Sequence, residues 1–442
     1  MVDKTRPWEE WIREHDDPEH TLEKPEAMDD LVVLDVSYGN MAGLFTSSIL
    51  SEFGAFVIKV EPPQGDLARK FTPYGLLCKD TGLGYLNEGR NKYHVTLNLK
   101  TEEGREIYKE LAAKADVVIE TFKPGEADEM GIGFRQLKDL NPGLVYCAIH
   151  TYGQFGPEAE KNRKKPDYDV VDQARCGIPA VTGEPDDPDI PEEVRAPTKQ
   201  GNWMGWYAGG CWAAFGIITA LLWRFKSGKG QFIDMAPPEG EAKFCDYHIQ
   251  WYHQAKRLRG RVGPYDSAVF PYTFVKTSDG VCFISGFSDV NWAHLCNIMN
   301  KPEVKDMFPT IFDRLNPENQ PKIHHIIEEW SARLTSKELE EVVMKHNLEP
   351  DAVGVVATAK VNWPLDALGE DHWWIRKTFT RIEDPNYGEL LLVNPAANKM
   401  TETPPRLKWA CRPVGADNLF VYKKFLGYGP ARLEELKSKG VI

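Results

Sequence analysis

Several groups of residues carry side chains whose types and spacing could do chemistry. The turn Tyr38-Gly-Asn-Met-Ala-Gly43 follows an apolar β-type run. A glycine-containing turn that feeds a helix N-terminus after a parallel strand is a place where phosphate or pyrophosphate sits well. It has no G-x-G-x-x-G pattern, and a tight strand-to-helix turn needs Gly with or without a ligand. Glu61-Pro-Pro-Gln-Gly-Asp66, with Arg69, lies just past a second β run, on the edge where α/β proteins bind ligands; the same residues also make a rigid turn. Arg90-Asn-Lys92, with Lys100 at the far end of its strand, is a cationic cluster suited to a nucleotide phosphate, although solvated surface charge is the commoner use of such residues. Asp167, Asp169 and Asp172 have helical spacing but no His or Cys among them, so helix capping explains them better than a metal. His324-His325 has no Glu at zincin spacing, and neither group makes a metal site. The chain has no G-x-S-x-G elbow and no Walker A lysine. These residues indicate a nucleotide-like site and assign no reaction.

Composition sets the frame that must position them. With 442 residues, 42% of them hydrophobic, and 13 Trp, 20 Phe and 16 Tyr, the chain can bury a large core, and disorder is excluded. A net charge of −13 argues against nucleic acid or an anionic membrane as the main partner, while leaving room for a local basic pocket. The first residues are charged throughout and lack an apolar signal segment. The apolar stretch 209–223 reads as a buried helix too short to span a bilayer. Eight scattered cysteines without a Cys-x-x-Cys pair read as reduced thiols. A cytoplasmic protein without a permanently bound cofactor or metal is the expectation.

Along the chain, 31–36 (LVVLDV) and 55–60 (AFVIKV) are β-type runs separated by a helical stretch that ends at Phe53-Gly54, which is a βαβ signature. The pattern continues with a strand at 93–99, an amphipathic helix at 101–114 capped by Thr101, a strand at 116–120, a helix at 134–140 and a strand at 144–150. A helix at 169–175, a Pro- and acid-rich loop at 183–197, a long apolar helix at 203–224 and a strand at 232–235 follow. Residues 237–260 read as helical, and 430–439 as a final surface helix. The expected organisation is an N-terminal extension (1–29), a large Rossmann-like α/β domain (30–235), a linker helix (236–263), a smaller α+β domain (264–385) and a C-terminal return to the large domain (386–442).

The order of these segments resembles the class III, formyl-CoA transferase-like CoA-transferases. The resemblance is carried by FGAFVIKVEPPQGDLAR, GRNKYHVTLNLKTEEGREIYKEL, ADVVIETFKPGEADEMGIG, LNPGLVYCAIHTYGQFGP, TALLWRFKSGKGQFIDM and RPVGADN…LEELKSKGVI, and it covers residues 30–442. It implies two subunits threaded through each other, a site for CoA or acyl-CoA, and movement of CoA from a thioester donor to a free carboxylic acid. In the family an Asp attacks the thioester to give a mixed anhydride. That Asp stands four residues ahead of a Gly. Counting back from Gly228-Lys-Gly-Gln231 puts Trp206 in its slot, with no acid between Arg195 and Asp234. The resemblance sets Met41, Ala42, Leu97, Asn98, Lys100 and Phe122 at cofactor positions. At other cofactor positions Pro62 and Thr121 stand where the family has Arg and Asn, and Glu129 replaces an Arg, which is repulsive near a phosphate. Racemases of the same fold use a His and an Asp as acid and base; Tyr168 and Trp206 occupy those two slots here. The run 256–261 (KRLRGR) falls where the family carries a Gly-rich loop over the active site.

Three readings follow from the resemblance. One is the non-catalytic subunit of a heteromeric CoA-transferase, partnered by a homologous subunit that carries the Asp. The family includes a two-subunit member that moves CoA from succinyl-CoA to benzylsuccinate in anaerobic toluene degradation. The aromatic residues Trp203, Trp206, Tyr207 and Trp212 would suit such an acid, and would suit a helix core equally. The second is a homodimeric enzyme using another carboxylate, Asp169 or Asp172. The third is a non-catalytic acyl-CoA-binding protein.

Overall fold

Val33 and Leu34, both fully buried, begin a six-stranded parallel sheet in the computed structural model, which describes residues 6–15, 20–394 and 398–442. Parts of the expected N-terminal extension (1–5 and 16–19) and of the C-terminal return (395–397) lie outside the described residues. The elements in chain order are β1 (Val32–Asp35), α1 (Met41–Glu52), β2 (Phe56–Glu61), β3 (Lys92–Thr96), α2 (Glu102–Ala112), β4 (Val117–Glu120), α3 (Phe134–Leu140), β5 (Val145–Ile149), α4 (Asp169–Cys176), α5 (Met204–Ser227) and β6 (Gln231–Met235). Spatially the strands run β3-β2-β1-β4-β5-β6, each parallel to its neighbours. The chain moves outward from β1 to β3 and then returns to the other side of β1. The switch point between β1 and β4 is where an open α/β sheet forms a crevice.

The strands are short apolar runs because both faces are covered. Alternate residues feed two cores. Val33, Val57, Ile119 and Val145 pack with Leu44 and Leu50 of α1 and Ile217 of α5. Leu34, Ile58, Val118 and Tyr146 pack with Ile107 and Leu111 of α2, Leu137 of α3, and Tyr422, Leu436 and Ile442 from near the C-terminus. Thr101 caps α2 by accepting from Gly104 N, as expected. Helix α5 runs for 24 residues, longer than expected from sequence; it is long and apolar enough to cross a membrane, yet half of that apolar window is buried in the protein. Its glycines permit close packing, since a Cβ on Gly210 would come within 2.9 Å of Ala42 O in α1. Phe215, Leu222, Trp223 and Phe225 of the same helix remain exposed.

Charged residues also occupy the interior. Asp35, Lys59 and His94 are register partners on β1, β2 and β3 and share one face of the sheet. Lys59 Nζ lies 3.4 Å from Asp35 Oδ1 and 3.1 Å from Asp66 Oδ2, and Glu61 pairs with Arg69 at 2.7 Å and with His94 Nδ1 at 2.8 Å. The Arg90-Asn-Lys92 cluster, expected at the surface or on a phosphate, is interior instead. Arg90 pairs with Glu52 at 2.8 Å, Asn91 Oδ1 accepts from Lys408 N, and Lys92 Nζ donates to Leu44 O at 2.6 Å. Such charges are tolerated in the interior only where partners replace water.

This interior titrates. Burial alone would depress the His94 imidazole, but the Cys411 sulfur and the Glu61 carboxylate beside it outweigh burial and push it up to about 9. The folded state therefore holds an extra proton on His94 between its ordinary pKa and about 9, and that stabilisation is lost as pH rises through this window. Burial pulls the Lys92 ammonium down to about 7, so its contribution runs the other way and stability is gained as pH rises above 7. His94→Gln removes the first contribution only. Its unfolding free energy, measured by urea titration, is expected to rise from pH 7 to 9 more steeply than that of the unsubstituted protein.

Pro179–Lys199 and Gln250–Glu370 form a second compact unit, whereas Met1–Ile178, Gln200–Ile249 and Asp371–Ile442 form the first. The second has an antiparallel sheet of Tyr272–Lys276, Val281–Ser285 and Ala357–Lys360, with Val281–Ser285 central. Trp292, Ile323 and Leu339 from its helices fill its core. His324 Nε2 bonds Phe274 O at 2.9 Å and His325 pairs with Glu329, both structural contacts. Among the described residues no group of His, Cys, Asp and Glu is placed to hold a metal ion. The expected helix at 237–260 is broken into Pro237–Ala242, a 3-10 turn and Asp246–Ala255, and ends before the charged run at 256–261.

Candidate functional site

A cavity of about 590 Å³ lies along the C-terminal edge of the parallel sheet. Val36 and Tyr38 beyond β1, Val60 and Pro62 at β2, Leu97 beyond β3, Thr121 and Phe122 beyond β4, and His150 beyond β5 all line it. It therefore sits over the switch point. At a strand spacing of about 4.8 Å, the four steps from β3 to β5 make it roughly 19 Å wide.

Of the residues proposed from sequence for a cofactor, Leu97, Asn98, Lys100 and Phe122 line this cavity. Met41 and Ala42 lie beneath it, fully buried at the start of α1 and outside the lining. The helix start there is not an open anion site, because Asn40 Oδ1 accepts from Ala42 N at 2.7 Å and from Gly43 N at 3.3 Å. Gly39 N is likewise held, by Asp66 Oδ1 at 2.8 Å. Pro62 and Thr121 are in the lining. Glu129 is outside it and pairs with Arg163, which neutralises the charge that would repel a phosphate. Lys100, Lys123 and Lys165 are exposed on the lining, and among the described residues none has an ion-pair partner. Free ammonium groups beside the apolar wall of Leu97, Phe122 and Met130 suit a ligand with phosphate and apolar parts.

The residues beyond β5 form a polar cluster that sequence reading did not assemble. Asp167 Oδ1 accepts from Thr151 Oγ1 at 2.7 Å and from Trp206 Nε1 at 3.4 Å, and Oδ2 accepts from Asn40 Nδ2 at 2.9 Å. Burial raises its pKa, and the neighbouring His150 and these donors oppose that rise. Burial lowers the pKa of His150, so its ring is neutral at pH 7. Trp206 is buried at the start of α5, with its backbone N–H donating to Asp169 Oδ1 at 3.1 Å and its ring stacked on Phe71. Asp169 and Asp172 are both buried outside the lining, and burial with the nearby charge of Asp167 pushes the Asp172 carboxyl up to about 9. Of these three aspartates only Asp167, two residues ahead of α4, lines the cavity, together with Glu61 and Glu126. The sequence signal for the cluster was a His ending a buried strand; nothing local tied it to Asp167. Trp203 packs against Phe71 and Tyr207 against Phe45, so those aromatic rings serve the core.

The profile of CoA-transferase family III matches residues 28–418. Among curated proteins, a succinyl-CoA–D-citramalate CoA-transferase of Chloroflexus aurantiacus is 30% identical over 95% of this chain and 98% of its own. The beta subunit of a succinyl-CoA–L-malate CoA-transferase from the same organism is 30% identical over 91% of this chain and 95% of its own. The alpha subunit of that enzyme is 30% identical over 93% of this chain and 91% of its own. A CAIB/BAIF family protein from Brucella suis superposes with a TM-score of 0.74 at 26% identity, over 90% of this chain and 99% of that one.

Proposed function

Because the chain belongs to CoA-transferase family III, we propose that it is one subunit of a heteromeric CoA-transferase and that a homologous partner supplies the nucleophilic Asp. The observation that carries this reading is Trp206. At the position that counting back from Gly228-Lys-Gly-Gln231 assigns to the family's nucleophile stands a buried indole, stacked on Phe71 and hydrogen-bonded to Asp167, beside a cavity whose lysines and apolar walls suit CoA. An indole cannot form or release an acyl bond, whereas a carboxylate can. In the partner's site the Asp oxygen attacks the thioester carbonyl, the C–S bond breaks, CoA leaves as thiolate, and a mixed anhydride remains. Relatives that work as alpha and beta subunits support a division of labour, and the exposed Phe215, Leu222, Trp223 and Phe225 of α5 are apolar surface of the kind an interface covers.

The donor we assign is succinyl-CoA, after the relatives, and the acceptor is benzylsuccinate, on the family resemblance. The aromatic residues at the start of α5 pack internally, which leaves acceptor choice to the partner's site. The interlocked assembly, the expected division into a large domain with a C-terminal return and a smaller domain, and a cytoplasmic location belong to the same reading. CoA and its thioesters enter as substrates. The test is co-expression with a homologous subunit carrying Asp four residues ahead of Gly, followed by succinyl-CoA, hydroxylamine trapping and mass spectrometry. Hydroxamate is expected on the partner's Asp and on no carboxylate of this chain. A fully active pure homomer, or label on Asp167, would overturn the reading.

A further inference from the structure

Ahead of residues 28–418, the span matched by the family profile, lies the helix Trp8–His15. At 3.6 residues per turn, Trp8, Trp11, Ile12 and His15 fall on one side of it. The rings on that side stack in sequence, Trp8 on Trp11 at 5.2 Å and Trp11 on His15 at 4.3 Å between centroids. Glu9 and Glu14 flank this apolar side, and Glu14 pairs with Arg6. No residue of the helix is buried, and Trp8 is 65% exposed. Lys24 Nζ ties the end of the helix to the rest of the chain, donating to His15 O at 2.5 Å and to Thr401 O at 2.8 Å. The helix is thus held in place with its apolar side uncovered.

The other end of the chain offers the complement. A shallow groove of about 630 Å³ is lined by Ala416, Leu419, Phe420, Lys423 and Lys424, along the helix Asn418–Leu426. Leu419 and Phe420 are both about half exposed, and the Phe420 ring is backed by Tyr93 at 5.2 Å and Phe56 at 6.2 Å. Lys423 and Lys424 are exposed, and among the described residues neither has an ion-pair partner. The floor is therefore apolar and the rim cationic. Except for Ala416, the lining lies beyond the matched span.

We propose that the helix Trp8–His15 of one copy of this chain docks in the Leu419–Lys424 groove of a second copy, and that the exchange is reciprocal. An amphipathic helix laid in an apolar groove reads its partner through residues spaced as Trp8, Trp11, Ile12 and His15 are. Glu9 and Glu14, at the edges of the apolar side, meet Lys423 and Lys424 at the rim, and this charge complementarity selects the occupant. The sizes agree. The helix is about 12 Å long, close to the roughly 13.5 Å of the nine-residue helix along the groove. The chain's own helix does not line its groove, and moving it there would break the tie from Lys24 to His15 O. Reciprocal exchange closes into a pair, whereas one-way docking would propagate into a filament. The contact adds to the pairing with a catalytic partner, so a heteromer built through it holds two copies of this chain.

Carbodiimide joins carboxylates to lysines that touch them. Heavy-isotope-labelled and unlabelled full chains, mixed dilute and concentrated together, are treated with it and read by mass spectrometry after digestion. Links from Glu9 or Glu14 to Lys423 or Lys424 that pair the two isotopes are expected. Links within one isotope would put the helix in its own groove. Links from the groove lysines to a different subunit, or none at all, would give the groove another occupant or no occupant. Each of these three results would overturn the proposal. Sedimentation supplies the second reading. Trp11→Ala, which leaves the buried core untouched, is expected to weaken association between copies at least about tenfold. Lys423→Glu with Lys424→Glu should weaken it as well, and adding Glu9→Lys with Glu14→Lys should restore it. A combined variant that stays as weak as the lysine variant would overturn the charge pairing that selects the occupant. The heteromeric reading stands or falls separately, by acyl trapping on the partner.

Discussion

Arg69→Leu is expected to lower the unfolding free energy by about 3–5 kcal/mol, the cost of breaking a buried ion pair from one side. Arg69 is nearly fully buried and grips both oxygens of Glu61, with Nε to Oε2 and an Nη to Oε1 each at 2.7 Å. The same guanidinium donates to Arg412 O at 2.9 Å and to Thr81 Oγ1 at 3.1 Å, and it lies 4.5 Å above the Tyr85 ring. Leucine fills much of the volume but leaves Glu61 buried with His94 as its remaining charged partner. Burial would raise the Glu61 carboxyl; Arg69 and His94 hold it well below the usual range, so the loss should be full at neutral pH and shrink as acid protonates the carboxyl. A lowered urea midpoint at constant slope is the expected signature. The double variant Arg69→Leu with Glu61→Gln should cost less than the sum of the single ones, because the stranded charge is then gone.

Lys100→Glu is expected to weaken CoA binding by about tenfold to a hundredfold, equivalent to the 1.5–3 kcal/mol typical of a hydrogen bond to a charged group. Lys100 lies on the cavity lining beside Leu97 and Asn98, and among the described residues its ammonium has no ion-pair partner. A chain with a net charge of −13 can attract a polyanion only through such local surplus. The loss should narrow as salt is raised, because screening weakens exposed charges. Lys109→Glu makes the same charge change on α2, outside the lining, where Lys109 pairs with Glu106 at 2.9 Å. It is expected to leave affinity within about twofold, and an equal effect of both substitutions would show that net charge, not the cavity, governs binding.

Much of the fold was legible because strand and helix periods are local. The runs around Val33, Ile58 and Val118 and the Thr101 cap could be read directly. Burial of charge could not be read that way. Arg90 looked like surface because its partner, Glu52, is distant in sequence and arrives with α1. Cavity residues on strand ends, such as Leu97 and Phe122, were accessible to pattern and resemblance together. Met41 and Ala42 sit one layer too deep, a difference set by how Asn40 turns the chain into α1. His150 and Asp167 come from separate segments that only the sheet edge brings together, so neither residue signals the other in sequence.

The packing of residues 418–442 has a consequence for the order of folding. Tyr422, Leu436, Val441 and Ile442 are buried in the same cluster as Leu34 and Ile58, near the other end of the chain. Between them the chain leaves the first compact unit and returns at Asp371. During synthesis the strands of the sheet emerge long before the helices that close one of its faces. Until those helices arrive, the part of that face left open beside α2 and α3 is exposed apolar surface, in a topology already rich in slow, non-local contacts. The second unit, whose main segment ends at Glu370, has all its residues available earlier. Maturation should thus proceed from the second unit outward, with the parallel sheet consolidated only once residues 418–442 dock.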